Sequence, residues 1–405
     1  MYQALKVRLY PTKAQKDSLS KQFGCARWVW NEALTETQRL YKETGKGLNR
    51  FAMQNRLPTL KKQHTWLDTD AVAQALQASV ANLATAFGNF FEKRGAFPRY
   101  KSKHGRQSIQ FPQNVKITDT HIKLPKITAI RIRGYDPVRV LGPLKTVTVS
   151  LDPDGCYYAS LLTDDGKPDP EPLLPVGGSF LGIDVGLTDF AVTSAGSHFN
   201  NPRHLKQKEA NLKRKQRKLS RKKKGSKSRE KARRLFAKCH SKVATMRKDY
   251  LHKLSTRLVN ESQGIAVEDL NVKGMMRNHS LAKAIADAGW DMFTSMLTYK
   301  CQRQGKFFVK VDRFYPSSKT CSECGYRRKE LGLSIRAWSC DDCGACHDRD
   351  ENAARNIAKE AMRMLKVGLV TAPGIGVAAV GGNVRRKLGR KVSTTRLPEK
   401  TEVSL

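Results

Sequence analysis

Acidic residues are scarce in this chain of 405 residues. Only 36 Asp and Glu stand against 75 Lys and Arg, a formal charge of +39. So large an excess of one sign points to a polyanion as partner, and nucleic acid is the expected one. Long hydrophobic runs are also missing. Residues 1–15 hold no uninterrupted apolar segment of the kind a secretory signal needs. The longest uncharged apolar run, 367–382, contains Pro373 and five glycines and is too short to span a bilayer. The expectation is a cytoplasmic, nucleoid-associated protein, with no membrane role. In a reducing compartment its nine cysteines serve as thiols or metal ligands, not disulfides. No internal repeat is visible. What is present is 39% hydrophobic residues, enough for real cores, which excludes a disordered polycation. At roughly 100–200 residues per domain, the length allows two to four domains.

The chain opens with alternation: Leu5, Val7 and Leu9 on one face, Lys6 and Arg8 on the other, the pattern of a half-buried strand ended by Pro11 and Thr12. Leu19, Phe23, Ala26, Trp30 and Leu34 then recur at helical spacing. A second amphipathic helix is predicted from about Asp70 to Glu92, with Val72, Leu76, Val80, Leu83, Phe87 and Phe90 as its stripe. After it, Lys and Arg alternate with Phe97, Tyr100 and Phe111, a mixture that can grip phosphates and stack bases, or that can be an ordinary solvated face. Strand patterns return between about 115 and 165, predicting a small β-barrel with a helical insert after its first strand. A Pro- and Gly-rich linker is expected at 166–178.

Three carboxylates stand out. In residues 179–196, two strands meet at a turn at Gly186 and Leu187. Ile183 and Val185 should face a core, while Gly182, Asp184 and Gly186 share the other face. The flanking glycines would leave room for a metal ion and a sugar-phosphate chain. In the strand 264–270, Ile265 and Val267 oppose Ala266 and Glu268, and Asp269 points away from Glu268. Asp350 falls at the N-cap of a terminal helix, with Asp348 as its rival two residues earlier. Asp184, Glu268 and Asp350 together could hold two divalent cations such as Mg²⁺. Two metals roughly 3.5–4 Å apart stabilise the attacking and leaving oxygens of an in-line displacement at phosphorus. Between the first two acids, residues 203–242 carry 19 Lys and Arg against Glu209 and Glu230. A helical hairpin broken at Gly225 is expected there, with apolar positions at Leu205, Leu212, Leu219, Leu235, Val243, Met246, Tyr250 and Leu254, and with its cations on a nucleic-acid backbone.

Cys321 and Cys324 form one C-x2-C and Cys340 and Cys343 another, the spacing of a zinc ribbon. Cys-Gly knuckles at 324–325 and 343–344 would let four thiolates converge on one metal, zinc or a rubredoxin-type iron. Cys346 is extra and could be idle or compete as a ligand. Cys25, Cys156, Cys239 and Cys301 are isolated and expected to be buried. The ribbon reads as an insertion just before Asp350, so that metal binding would help fix the loop presenting that acid.

The motifs GIDVGLTDFAV, VEDLNVKGM, DRFYPSSKTCSECG and WSCDDCGACHDRDENAARNIA, with YPTKAQ near the start and the Trp30–Asn31 pair, resemble the TnpB proteins of bacterial insertion sequences. The resemblance covers roughly residues 1–365. It implies an α/β RNase H-like (RuvC) nuclease domain at 171–313 and 346–365, with a zinc ribbon inserted at 314–345. It further implies a wedge-like β-barrel at 1–10 and 113–170 and a helical recognition insert at 11–112. Residues 366–405 would be a disordered tail. By the same resemblance, Asp184, Glu268 and Asp350 are the catalytic, Mg²⁺- or Mn²⁺-binding acids, and Cys321, Cys324, Cys340 and Cys343 hold a structural Zn²⁺. Cys346 departs from the usual ribbon. The implied partners are a guide RNA from the transposon end and double-stranded target DNA, and no self-association is called for. The implied activity is RNA-guided DNA cleavage beside a short adjacent motif, for whose reading Gln74 and Gln77 are the candidates. Two other classes stay open: a transposition regulator that binds nucleic acid without cutting it, and, from GIDVGL alone, an actin-like ATPase.

Overall fold

The computed structural model describes residues 1–368 apart from 141, 174–179 and 333. The predicted linker is thus covered only in part, and the tail beyond 368 lies outside the described residues.

In the N-terminal lobe, β1 (Tyr2–Tyr10) alternates as its sequence requires, with Val7 and Leu9 buried and Lys6 and Tyr10 exposed. Helix α1 (Lys13–Thr44) is opened by a reciprocal cap: the Thr12 hydroxyl accepts from the Gln15 amide and the Gln15 side chain accepts from the Thr12 amide. It ends at Gly45, whose φ of 71° suits a residue without a Cβ. Leu19, Phe23, Ala26, Trp30 and Leu34 are all buried. Three short helices follow, α2 (Arg50–Asn55), α3 (Leu57–Gln63) and α4 (Thr65–Asp70). The long helix α5 (Ala73–Phe91) starts three residues later than predicted, because Asp70 closes α4 and Val72 is extended.

Six more strands join β1 in an antiparallel sheet: β2 (Gln107–Phe111), β3 (Lys116–Ile117), β4 (His121–Lys123), β5 (Ile130–Arg133), β6 (Leu144–Leu151) and β7 (Tyr157–Asp164). Their order is β2-β6-β7-β1-β5-β4-β3. Two sequence expectations need correction. β2 lies inside 11–112, so the sheet resumes before the helical insert was expected to end, and Phe111 is core, not an exposed aromatic. Among the described residues β2 and β3 do not pair, so the sheet is open where a closed barrel was expected. It curls nonetheless. Ile109 and Phe111 from one edge share a core with Ile122 and Ile130 near the other, and α1 fills the interior with Leu19, Phe23 and Ala26. Covering the concave face with a helix buries it without closing the hydrogen-bonded ring.

The C-terminal lobe is built on β8 (Leu181–Val185), β9 (Asp189–Thr193), β10 (His198–Asn200), β11 (Gly264–Glu268) and β12 (Phe307–Val311), in the order β10-β9-β8-β11-β12. β8, β11 and β12 run parallel, and β9 and β10 antiparallel. The basic segment forms the expected hairpin, α6 (His204–Ser220) and α7 (Lys227–Glu261), turning at Gly225 with φ 83°. Its seam is Leu212, Cys239 and Val243; Leu235, expected in the stripe, is exposed. Then come α8 (Val272–Met275), α9 (Ala282–Ala288) and α10 (Trp290–Arg303). A two-stranded ribbon, β13 (Ala337–Ser339) and β14 (Cys346–Asp348), leads into α11 (Arg349–Lys366). The sheet is buried on both faces. Ile183, Ile265 and Val267 pack with Leu251 and Leu254 of α7 and Phe293 and Leu297 of α10, while Ala266, Val309 and Val311 pack with Ile357 and Ala361 of α11.

Candidate carboxylate and cysteine centres

The register of the parallel pair sets the first two acids side by side. Ala266 opposes Gly182 and Val267 opposes Ile183, so the next step up brings Glu268 level with Asp184. Side chains alternate, so with Ile183 and Val267 in the α7/α10 core, Asp184 and Glu268 turn towards α11. Both stand at the carboxyl ends of their strands.

Gly182 brings in the third acid. A Cβ there would collide with the Ala354 carbonyl oxygen, so α11 lies directly on β8. Asp184 is two residues on from Gly182 along the strand, and Asp350 is one helical turn before Ala354, so this close approach sets the two acids together. The expectation that both glycines leave room for a substrate is therefore corrected. Gly182 makes room for a helix, and Gly186 for a tight turn in which a Cβ would sit 2.8 Å from the Asp189 carbonyl oxygen.

The electrostatics register the meeting. Asp184 is pushed up to about 8, by burial first and then by the negative charges of Asp350 and Glu268, with Arg349 pulling it back. Burial and the charges of Asp269 and Asp312 push Glu268 up to about 7. Asp269 itself turns to Lys310 (3.4 Å) and Arg313 (3.0 Å), pointing away as expected.

Asp350 is not the N-cap. Asp348 caps α11, accepting from the Asp350 amide at 2.9 Å and the Glu351 amide at 3.0 Å. Asp350 thus lies in the first turn of α11, within reach of Asp184 by its charge. Its carboxylate meets Arg336 of the ribbon at 3.1 Å. Among the described residues the three acids do not form a cluster with all ligand atoms within 4.8 Å. Asp350 is held by Arg336 of the ribbon, and a cation among the three acids would compete for its carboxylate.

The four cysteines do form such a cluster: one ligand atom from each of Cys321, Cys324, Cys340 and Cys343 lies within 4.8 Å of the others. Gly325 and Gly344, with φ of 83° and 73°, turn the two knuckles. The Cys321 and Cys340 amides close them on the Tyr326 and Ala345 carbonyls, each at 2.8 Å. Hydrogen bonds from the knuckle amides, that of Cys343 foremost, hold the Cys340 thiol down near 7. The quartet could hold a structural metal such as zinc. Cys346 is exposed and contacts the Ser339 hydroxyl at 3.3 Å, outside the quartet. Cys25, Cys156, Cys239 and Cys301 are buried, as expected.

Several contributors escaped sequence reasoning. His347 is buried with Nε2 3.0 Å from Cys321 Sγ and its ring against Trp338. Asn352 and Asn356, 1% and 2% exposed, tie the ribbon base to α11: Asn352 accepts from the Ser322 amide, and both donate to the Thr320 carbonyl. His198 spans Asp189 (2.9 Å) and Glu351 (3.2 Å), linking the sheet edge to the first turn of α11, and both carboxylates raise its pKa. The repeated Asn in DENAARN was the readable signal; Arg336 was one cation among 75.

Comparison with known proteins bears on the whole chain. Residues 165–279 match the IS605 OrfB family, described as "Probable transposase", and residues 290–357 a "Cas12f1-like, TNB domain". Residues 1–46 match a "Helix-turn-helix domain", although here they form a strand and one unbroken helix. A protein of Streptomyces pristinaespiralis named "Putative RNA-guided DNA endonuclease" is 40% identical over 94% of this chain and 92% of its own length. The Escherichia coli K12 protein named "Putative RNA-guided DNA endonuclease InsQ" is 32% identical over 90% and 94%. Among solved structures, the cryo-EM structure of a Cas12f1-sgRNA-target DNA complex aligns over 89% of this chain and 100% of that one, at 16% identity and a TM-score of 0.35. With close to full-length similarity at 40% identity, and with the motifs in place, the chain belongs to the TnpB family of IS605 OrfB proteins.

Proposed function

We propose that the protein is an RNA-guided DNA endonuclease of an insertion sequence, cutting target DNA beside a short adjacent motif by two-metal phosphodiester hydrolysis. One observation carries the reading: the strand register sets Glu268 level with Asp184, and Gly182 lets the start of α11, with Asp350, lie against the same strand. The names borne by relatives covering nearly the whole chain support it. So does the strand order, in which three antiparallel strands are followed by two parallel ones with helices on both faces, as in an RNase H-like (RuvC) core.

Asp184, Glu268 and Asp350 would hold the divalent ions, for which a set of hard oxygen donors fits Mg²⁺ or Mn²⁺. Such ions supply Lewis-acid charge at the attacking and leaving oxygens of the phosphodiester. The chain's own part is to hold the acids in register, through the β8–β11 pairing and the Gly182–Ala354 approach. Arg336 offsets the charge of Asp350 and can turn to a phosphate. The α6–α7 hairpin presents its cations to a nucleic-acid backbone, giving affinity without reading sequence. Base pairing with a guide RNA from the transposon end would then read sequence, while the protein reads shape and the adjacent motif. Zn²⁺ in the cysteine quartet would be structural.

The test is to sequence the RNA that co-purifies with the protein, then challenge the complex with a plasmid carrying a matching target. A defined transposon-end RNA and cleavage that needs Mg²⁺ are expected. Scattered cellular RNA, or binding with no nicks under any divalent ion, would leave the non-cleaving regulator as the better reading.

A further inference from the structure

Four phenylalanines gather where α5 ends. Phe97, returned by the turn at 92–96, meets Phe87 and Phe90 edge to face at 5.6 and 5.3 Å. Phe91 lies on Phe87 at 6.4 Å and tilts against Phe90 at 5.4 Å. The cluster is not buried: Phe91 is 73% exposed and Phe97 42%. Single exposed apolar residues are ordinary, but a packed aromatic knob left in water marks a binding surface. The turn beneath it is held firmly, the Arg94 and Gly95 amides both donating to the Asn89 carbonyl. It is also cationic, with Lys93, Arg94 and Arg99 exposed. Arg94 pairs with Glu92, while Lys93 and Arg99 have no acidic partner among the described residues.

We propose that this knob is a stacking platform for the unpaired bases of a DNA strand. The choice of strand rests on the endonuclease reading: a guide that pairs with one DNA strand leaves the other unpaired. Phenylalanine offers a flat face and no donor or acceptor, so it holds any base and reads none. That suits a strand whose sequence changes with every target. The neighbouring cations suit its phosphates. They oppose a second copy of this chain, because a two-fold pairing would set Lys93 and Arg94 of both copies together on a protein already at +39.

The test uses the full chain with its co-purified RNA, without added divalent ion, and an oligodeoxythymidine carrying one 2-aminopurine. Phe91→Ala should bind it about tenfold more weakly, with loss of 2-aminopurine quenching. Phe91→Leu, equally apolar but not flat, should lose as much, and Phe91→Trp should restore both signals. Duplex DNA affinity and the salt slope should stay unchanged, while Lys93→Ala should lower the slope by about 0.7. Wild-type binding and quenching in Phe91→Ala and Phe91→Leu would overturn the proposal. So would a loss confined to an oligoribouridine probe, or a shift from dimer to monomer in light scattering. The binding assay needs no cleavage, so a wild-type protein that never cuts would remove the endonuclease reading and leave the stacking result to be judged alone.

Discussion

The cysteine and carboxylate centres both abut the start of α11, and they are assembled in opposite ways. The quartet is written locally: two four-residue knuckles, each with its own glycine turn and amide hydrogen bonds, draw four sulfurs within 4.8 Å. The acids come from β8, β11 and α11, and nothing local relates them. Strand register, the missing Cβ of Gly182 and the cap at Asp348 bring them near one another, while Arg336 of the ribbon holds Asp350. A centre made of neighbours is closed by bonds within its own segment, whereas a centre made of distant residues depends on how sheet and helix pack.

The sharpest way to break this comparison is at the acids. Asp184→Ala should lower guided cleavage by about 10³-fold or more in a plasmid assay, with guide-RNA affinity within about twofold of wild type. Normal cutting would disconnect the acids from the chemistry. At the other centre, Cys340→Ser should reduce bound zinc measured by mass spectrometry and expose 314–345 to protease. Cleavage should fall by about 10–100-fold, because Arg336 and the α11 cap are held by the ribbon. Gly182→Ala tests the link between sheet and helix. Forcing a Cβ against Ala354 should cost about 1–3 kcal/mol in denaturant titration and lower cleavage with it. An unchanged midpoint would mean that α11 does not depend on that approach.

Smaller effects follow from pH. Asp184 moves from 3.8 to about 8 on folding, so the fold favours its protonated form. That contribution to stability is full below pH 3.8 and lost as pH rises through about 8. Asp184→Asn, which cannot ionise, should gain in melting temperature relative to the metal-free wild type, and the gap should widen from pH 4 to pH 8. Added Mg²⁺ should raise the melting temperature of the wild type more at pH 8 than at pH 5, and have little effect on the variant. A pH-independent gap would contradict the clustering of the acids. Smallest of all, Cys346→Ser should leave zinc content and cleavage unchanged, since that sulfur faces Ser339.

Much of this could be read before folding. Alternation named β1 and its buried Val7 and Leu9, and helical spacing named the core face of α1, because each element's exposure is set by its own period. Other errors were of relation. Phe111 was grouped with exposed aromatics since nothing in its neighbourhood tells that β2 pairs with β6. The sheet's closure was expected, but α1 filled the concave face instead. Asp350 and Asp348 carry the same side chain two positions apart, and only the helix start decides which one caps.

Composition and spacing by themselves determined the large positive charge and the four thiols of the ribbon. Net charge is a sum over residues, and a knuckle is closed by bonds between near neighbours. The tertiary structure alone decided that Asp184 shares its surroundings with Glu268 and Asp350, that Arg336 stands against the latter, and that Phe91 is left in water. Those facts depend on which surfaces meet once distant segments pack, and no window along the chain contains them.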